Sequence, residues 1–69
     1  MRRYKISRSV GKRLRIIRRK KRLTQEEVAE KIRMHVSTLG RIERGESNPP
    51  VHTIEKIAKT LRIKVSELF

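Results

Sequence analysis

An all-α fold, a compact bundle of five helices, is what this sequence predicts, and three observations predict it. Apolar residues recur at three- and four-residue spacing through most of the chain, as on the buried face of a helix. Capping signals and glycine or proline stops divide that pattern into short segments. No segment shows sustained strand alternation; Tyr4 and Ile6 alternate with basic residues and allow at most a short strand. With 69 residues and no cysteine, one small core must hold the bundle without disulfides.

Taken in order, residues 1–8 (MRRYKISR) have no helical period and read as a flexible basic arm ahead of a domain at 9–69. Helix 1 is expected from Ser9, a capping residue, to about Lys21, with Val10, Leu14 and Ile17 inward and Ile16 off that stripe. Leu23 follows as a core contact. Helix 2 opens with a capping box: Thr24 caps the free amides and Glu27 reaches back. Val28, Ala29 and Ile32 share one face. Helix 3, about Val36 to Arg44, repeats the pattern with Leu39 and Ile42 and stops at Gly45, a left-handed cap. The turn GESNPP separates it from helix 4, about Val51 to Leu61, which points Ile54, Ile57, Ala58 and Leu61 inward. A short fifth helix is expected over Val65 to Phe69.

The net charge is +13, and it is unevenly placed. Residues 1–22 carry twelve Lys/Arg and no acid; the rest of the chain nets only +1. Such segregation is an electrostatic footprint for a polyanion more than a mixed solvated surface. Helices 2 and 3 are too short to be stable alone. Their joint purpose is to hold one polar face, Val36-Ser37-Gly40-Arg41-Arg44, at a fixed angle, as a surface that enters a groove of DNA. The run RRKKR at 18–22 reads as a solvated basic face inside a helix.

Other chemistries find little support. No nucleophile–base pair, carboxylate dyad or glycine-rich phosphate loop is present, so neither an enzyme nor a cofactor is expected. His35 and His52 lack the spacing of a zinc site. No run of about 18 apolar residues spans a bilayer, and no secretory h-region exists. A cationic membrane-active segment at 8–22 conflicts with the core residues that helix 1 must supply.

The motifs VGKRLRIIR, LTQEEVAEKI, STLGRIERGESNP and TIEKIAKTLRIKVSELF, in this order and spacing, resemble the lambda repressor/Cro-like (Xre) helix-turn-helix domain. The likeness covers about residues 9–69. It implies helix 3 in the major groove with helix 2 crossing above it. It implies that Val36, Ser37, Gly40 and Arg41 face base edges. Val36 suits a thymine methyl; Ser37 bonds a base or a phosphate. Gly40 signals close backbone approach, or drift. Arg41 is assigned to guanine O6/N7, with roughly 1–3 kcal/mol of discrimination, or else to a phosphate. Thr24, Gln25, His35, Thr38, Arg44 and Arg18 form the implied phosphate-contacting set. Gln25 also braces the recognition helix, unless it is an ordinary first-turn residue. Arg18 and Glu43 match a structural ion pair between helices 1 and 3.

The chain departs from the family pattern in one direction. Arg22, Arg33 and Arg62 stand at helix ends where glycine is usual, and Lys64 replaces a serine cap. His35 and Pro50 precede helices 3 and 4 and are poor caps. Stronger phosphate attraction is one explanation; basic residues scattered without functional effect are the other. The leading expectation is a cytoplasmic, sequence-specific transcriptional regulator, a repressor that binds double-stranded DNA as a homodimer on a palindromic operator. Val65, Leu68 and Phe69 would form the dimer interface or, alternatively, core. The rivals are an antitoxin that also binds a toxin, and a nucleoid-like protein that binds DNA without sequence preference.

Overall fold

The computed structural model describes the backbone from residue 3 and the side chains from residue 8 to residue 69. Four α-helices follow in order: α1 (Arg3–Lys20), α2 (Gln25–Lys31), α3 (Val36–Glu43) and α4 (Val51–Leu61). The expected fifth helix is a single 3-10 turn, Val65–Leu68. One turn has too few backbone bonds to propagate as an α-helix; burial of Leu68 at 1% exposure holds it in place. The Lys64 N–H also donates to Glu67 Oε2 at 2.8 Å, which caps the turn from within.

α1 begins at Arg3, not at Ser9, so residues 3–8 continue the helix instead of forming an arm; residues 1 and 2 lie outside the described chain. Ser9 is exposed within the helix and caps nothing. No proline interrupts this stretch, and its Arg8 backbone packs against the end of α3: a Cβ on Gly45 would come within 2.7 Å of Arg8 Cα. Tertiary contact thus favours helix where the local pattern was weak.

α1 lies across α3 and the 3-10 turn, α2 packs on α3 and α4, and α4 also supports the 3-10 turn. Leu14, Val28, Leu39, Ile57, Leu61 and Leu68 form the fully buried centre. Each contributes roughly 1.5–3 kcal/mol by leaving water. Ile17 and Leu23 close the edge, and Ile16 stays exposed, as its place off the α1 stripe predicts.

All four α-helices end in the same way. The left-handed residues Arg22, Arg33, Gly45 and Arg62 have φ of 58°, 57°, 74° and 58°. Each N–H donates to the carbonyl three residues back, and the next N–H to the carbonyl five back, as in Arg33→Glu30 (3.2 Å) and Met34→Ala29 (2.8 Å). The three arginines therefore take the conformation in which glycine is relaxed. Two effects offset the strain. Leu23, Met34 and Ile63, which follow them, pack on the core, and a cation suits the negative end of a helix. Arg33→Gly should raise stability by about 1 kcal/mol, and Arg33→Ala should not, because the strain lies in the Cβ. Denaturant midpoints at constant slope check this; equal midpoints for the Gly variant and the parent would refute it.

Candidate nucleic-acid interface

The site is built from α2 outward. Thr24 Oγ1 accepts the Glu27 N–H at 3.0 Å, and Glu27 Oε1 accepts the Thr24 N–H at 2.8 Å, completing the capping box. The Thr24 amide chiefly holds the Glu27 carboxyl below the usual carboxylate range. The cap sets Gln25 in the first turn of α2, facing α3.

There Gln25 Nε2 donates to Glu43 Oε1 at 2.9 Å. Arg18 Nε donates to Glu43 Oε2 at 2.6 Å, Arg18 Nη2 to Glu43 Oε1 at 3.1 Å, and Arg18 Nη1 to the Leu23 carbonyl at 2.7 Å. One carboxylate thereby ties α1, α2 and α3 together and fixes the angle of α3. Both ions are buried, at 7% and 6% exposure. Among the described residues no buried side-chain N or O atom lacks a partner. Three of the five Arg18 N–H donors are thus engaged inside the protein, and Arg18 also lines the groove beside α3.

α3 turns Leu39, Ile42 and Glu43 inward and leaves Val36, Ser37, Thr38 and Arg41 exposed, with Arg44 just beyond its end. His35 precedes it, exposed and without a side-chain bond to the helix. Gly40 departs from expectation. It is buried, because Arg44 and Gln25 cover it: a Cβ there would lie 3.1 Å from Arg44 Nη1 and 3.8 Å from the Gln25 amide. Its missing side chain makes room for those two residues. The Arg44 fork in turn bonds Glu46, Nε to Oε2 at 3.0 Å and Nη2 to Oε1 at 3.3 Å.

Two cationic grooves border α3. Arg15, Arg19, Arg22, Thr24 and Arg44 line one near its C-terminal end. Arg33, His35, Thr38 and Lys56 line another at its N-terminal end. Sequence reading did not single out Arg15, Arg19 or Lys56. The four-residue spacing of Arg15 and Arg19 would have placed those two on one face of α1, with Arg22 in the turn that follows it.

The expected dimer residues divide. Leu68 is core, not interface, because the 3-10 turn points it inward. Val65 is half-buried against the same core, and Phe69 is 60% exposed. Among the described residues, no group of three or more His, Cys, Asp or Glu is placed to hold a metal ion. No described helix is long and apolar enough to cross a membrane.

Two short helices locked across a tight turn, the second presenting an exposed polar face, define a helix-turn-helix domain. The chain belongs to the helix-turn-helix family (HTH_3, the Xre/Cro–C1 type), which matches residues 14–68. It is 42% identical over 60 residues to an immunity repressor protein of Bacillus phage phi105, covering 87% of this chain and 42% of the repressor. This chain therefore spans less than half of that relative. It is 41% identical over 58 residues to YazB of Bacillus subtilis, an uncharacterized HTH-type transcriptional regulator, covering 84% of each. Among solved structures it is similar to the restriction-modification controller protein C.AhdI from Aeromonas hydrophila, with a TM-score of 0.88 and 38% identity over 91% of this chain and 96% of that one.

Proposed function

We propose that this chain is a cytoplasmic, sequence-specific DNA-binding transcriptional regulator, a repressor, that inserts α3 into the major groove. The carrying observation is the exposed face Val36-Ser37-Thr38-Arg41, held at a fixed angle by the buried Arg18–Glu43–Gln25 cluster and bordered by cationic grooves. Arg41 reads guanine, Val36 packs on a thymine methyl, and Ser37 bonds a base edge. Thr24, Gln25, His35, Thr38 and Arg44 meet phosphates, joined by Arg15, Arg19 and Arg22. One such helix reads only a few base pairs, so a homodimer on a palindromic operator supplies the remaining specificity. Of the residues expected at that dimer interface, Phe69 is the exposed one.

One observation favours a second reading, DNA binding without sequence preference. Arg41 is the one long side chain on the exposed face within α3, and many exposed cations lie off it. Selection of bound duplexes from random DNA, with affinity followed against salt, separates the two. A regulator enriches a palindrome and keeps binding it as salt rises. A steep salt slope with no enrichment would establish the second reading. In a regulator, Arg41→Ala relaxes the choice of one base and costs about 1–3 kcal/mol on the selected site; Arg44→Ala weakens all sequences alike. Uniform losses in both variants would remove Arg41 from base reading.

A further inference from the structure

Arg33 is an exposed cation at a left-handed position, with φ of 57°, in the turn that leads into α3. Glycine is relaxed there, so the arginine side chain is held at a cost to folding. It lines two adjoining grooves. One holds His35 and Thr38 at the start of α3, together with Lys56 of α4. The other runs between α2 and α4 past Lys31, Lys56 and Lys59. Arg33 and Lys56 line both, and no acid lines either one. Among the described residues neither side chain has an ion-pair or hydrogen-bond partner. The groove at the other end of α3 differs, because Glu26 and Glu43 stand among its arginines.

We propose that Arg33 and Lys56 contact a DNA phosphate backbone at the end of α3 opposite the Arg15–Arg19–Arg22 groove, so that Arg33 gives up stability for affinity. This rests on α3 being the DNA-reading helix. A short helix seated in the major groove, about 12 Å wide, has phosphate backbone within reach of each of its ends. The arginines of α1 and Arg44 serve the C-terminal end; Arg33 and Lys56 are the long cations of the groove at the N-terminal end. Like charges gathered without an acid repel one another, and a phosphate relieves that repulsion while it releases counterions. Helix-end charge is the alternative reason for an arginine here, since a cation suits any helix C-terminus. Arg62 separates the two explanations. It has φ of 58° at the end of α4, is exposed, and lines neither groove. Helix-end charge acts at both arginines; DNA contact acts at Arg33 alone.

The test uses the full chain, titrated against salt on the duplex enriched by the parent and on random-sequence duplex, with thermal unfolding alongside. Arg33→Gly should raise the unfolding midpoint by about 4–8 °C and yet weaken binding to both duplexes by about 5–10-fold near 0.1 M salt. Its salt slope should be shallower by about 0.9, one phosphate contact fewer. Arg33→Lys keeps both the charge and the strain, and should keep the midpoint and the slope of the parent. Lys56→Gln should lose affinity and slope as Arg33→Gly does, with a midpoint within a few degrees of the parent. Arg62→Gly should raise the midpoint as Arg33→Gly does but change affinity less than about twofold, since a charge outside the interface is largely screened at that salt. An equal loss of affinity in Arg62→Gly assigns the effect to net charge and overturns the contact. An unaltered slope in Lys56→Gln overturns its share of the contact. No enrichment by the parent, with Arg41→Ala binding as the parent does, overturns α3 as the reading helix and this contact with it. A base preference altered by Arg41→Ala, with unaltered affinity in Arg33→Gly, overturns the Arg33 contact alone.

Discussion

Gly11→Ala should destabilise the fold by at least about 3 kcal/mol, a large share of the roughly 3–10 kcal/mol expected for a domain of this length. Gly11 lies where α1 crosses α3, and the two backbones touch there. A Cβ would press on the Ile42 carbonyl oxygen and come within 2.7 Å of the Glu43 carbonyl oxygen and 2.9 Å of its carbon. All three are backbone atoms, so no rotamer change relieves the clash; the helices must separate. That separation would also open the Arg18–Glu43 contact and tilt α3 out of its reading angle. Thermal unfolding should show a midpoint lower by about 12–24 °C, with DNA affinity lost in parallel. Lys12→Ala, exposed on the next position, should stay within about 0.5 kcal/mol of the parent. A Gly11→Ala midpoint within a few degrees of the parent would mean that the crossing adapts more readily than close packing allows.

Glu43→Ala should cost about 3–5 kcal/mol. The carboxylate carries no exposed function; it satisfies Arg18 Nε, Arg18 Nη2 and Gln25 Nε2 at once. Its removal leaves a buried guanidinium without its counter-ion and a glutamine amide without its acceptor. Replacing both ions by apolar residues, as in Arg18→Met with Glu43→Leu, should lose far less stability than Glu43→Ala, because no charge is then stranded. DNA binding separates the roles. The apolar double variant should fold yet discriminate less between selected and random duplex, since the bonds that hold α3 against α1 and α2 are gone. Chemical denaturation at neutral pH gives the first comparison, and affinity ratios for selected against random duplex give the second. A double variant as unstable as Glu43→Ala would place the cost in packing and not in charge.

These two positions were not equally visible beforehand. The Arg18–Glu43 pair followed from the family resemblance, and its geometry matches a structural ion pair. Gly11 passed without notice inside a helical pattern, since nothing in its neighbours signals a crossing helix thirty residues on. The capping box at Thr24, the left-handed stop at Gly45 and the α4 stripe were legible because each depends on residues within one helical turn. The three left-handed arginines were legible only through comparison with a glycine-bearing family; by local propensity arginine would have argued against such a turn.

The exposed face of α3 was read in part. Val36, Ser37, Thr38 and Arg41 are open to solvent, but Gly40 is covered, Arg18 is internally bonded and Leu68 is core. Periodicity says that a residue shares a face with its neighbours at three and four positions' distance; it does not say what lies over that face. Gln25 and Arg44 decide the burial of Gly40 from fifteen residues before it and four after. The extent of α1 shows the same limit, since the contact of Arg8 with Gly45 joins distant parts of the chain.

By itself, then, the sequence determined an all-α helix-turn-helix domain, its capping and stop signals, most of its core and a cationic partner surface. All of these rest on local spacing, on composition, or on motifs whose order is specific. Only the tertiary structure decided which cations are free and which are bound internally, where α1 begins, and that one carboxylate sets the angle of the recognition helix while another restrains the arginine beside it. These outcomes depend on atoms brought within hydrogen-bond range from distant positions or across a helix stop. Such distances arise from packing, which no local pattern encodes.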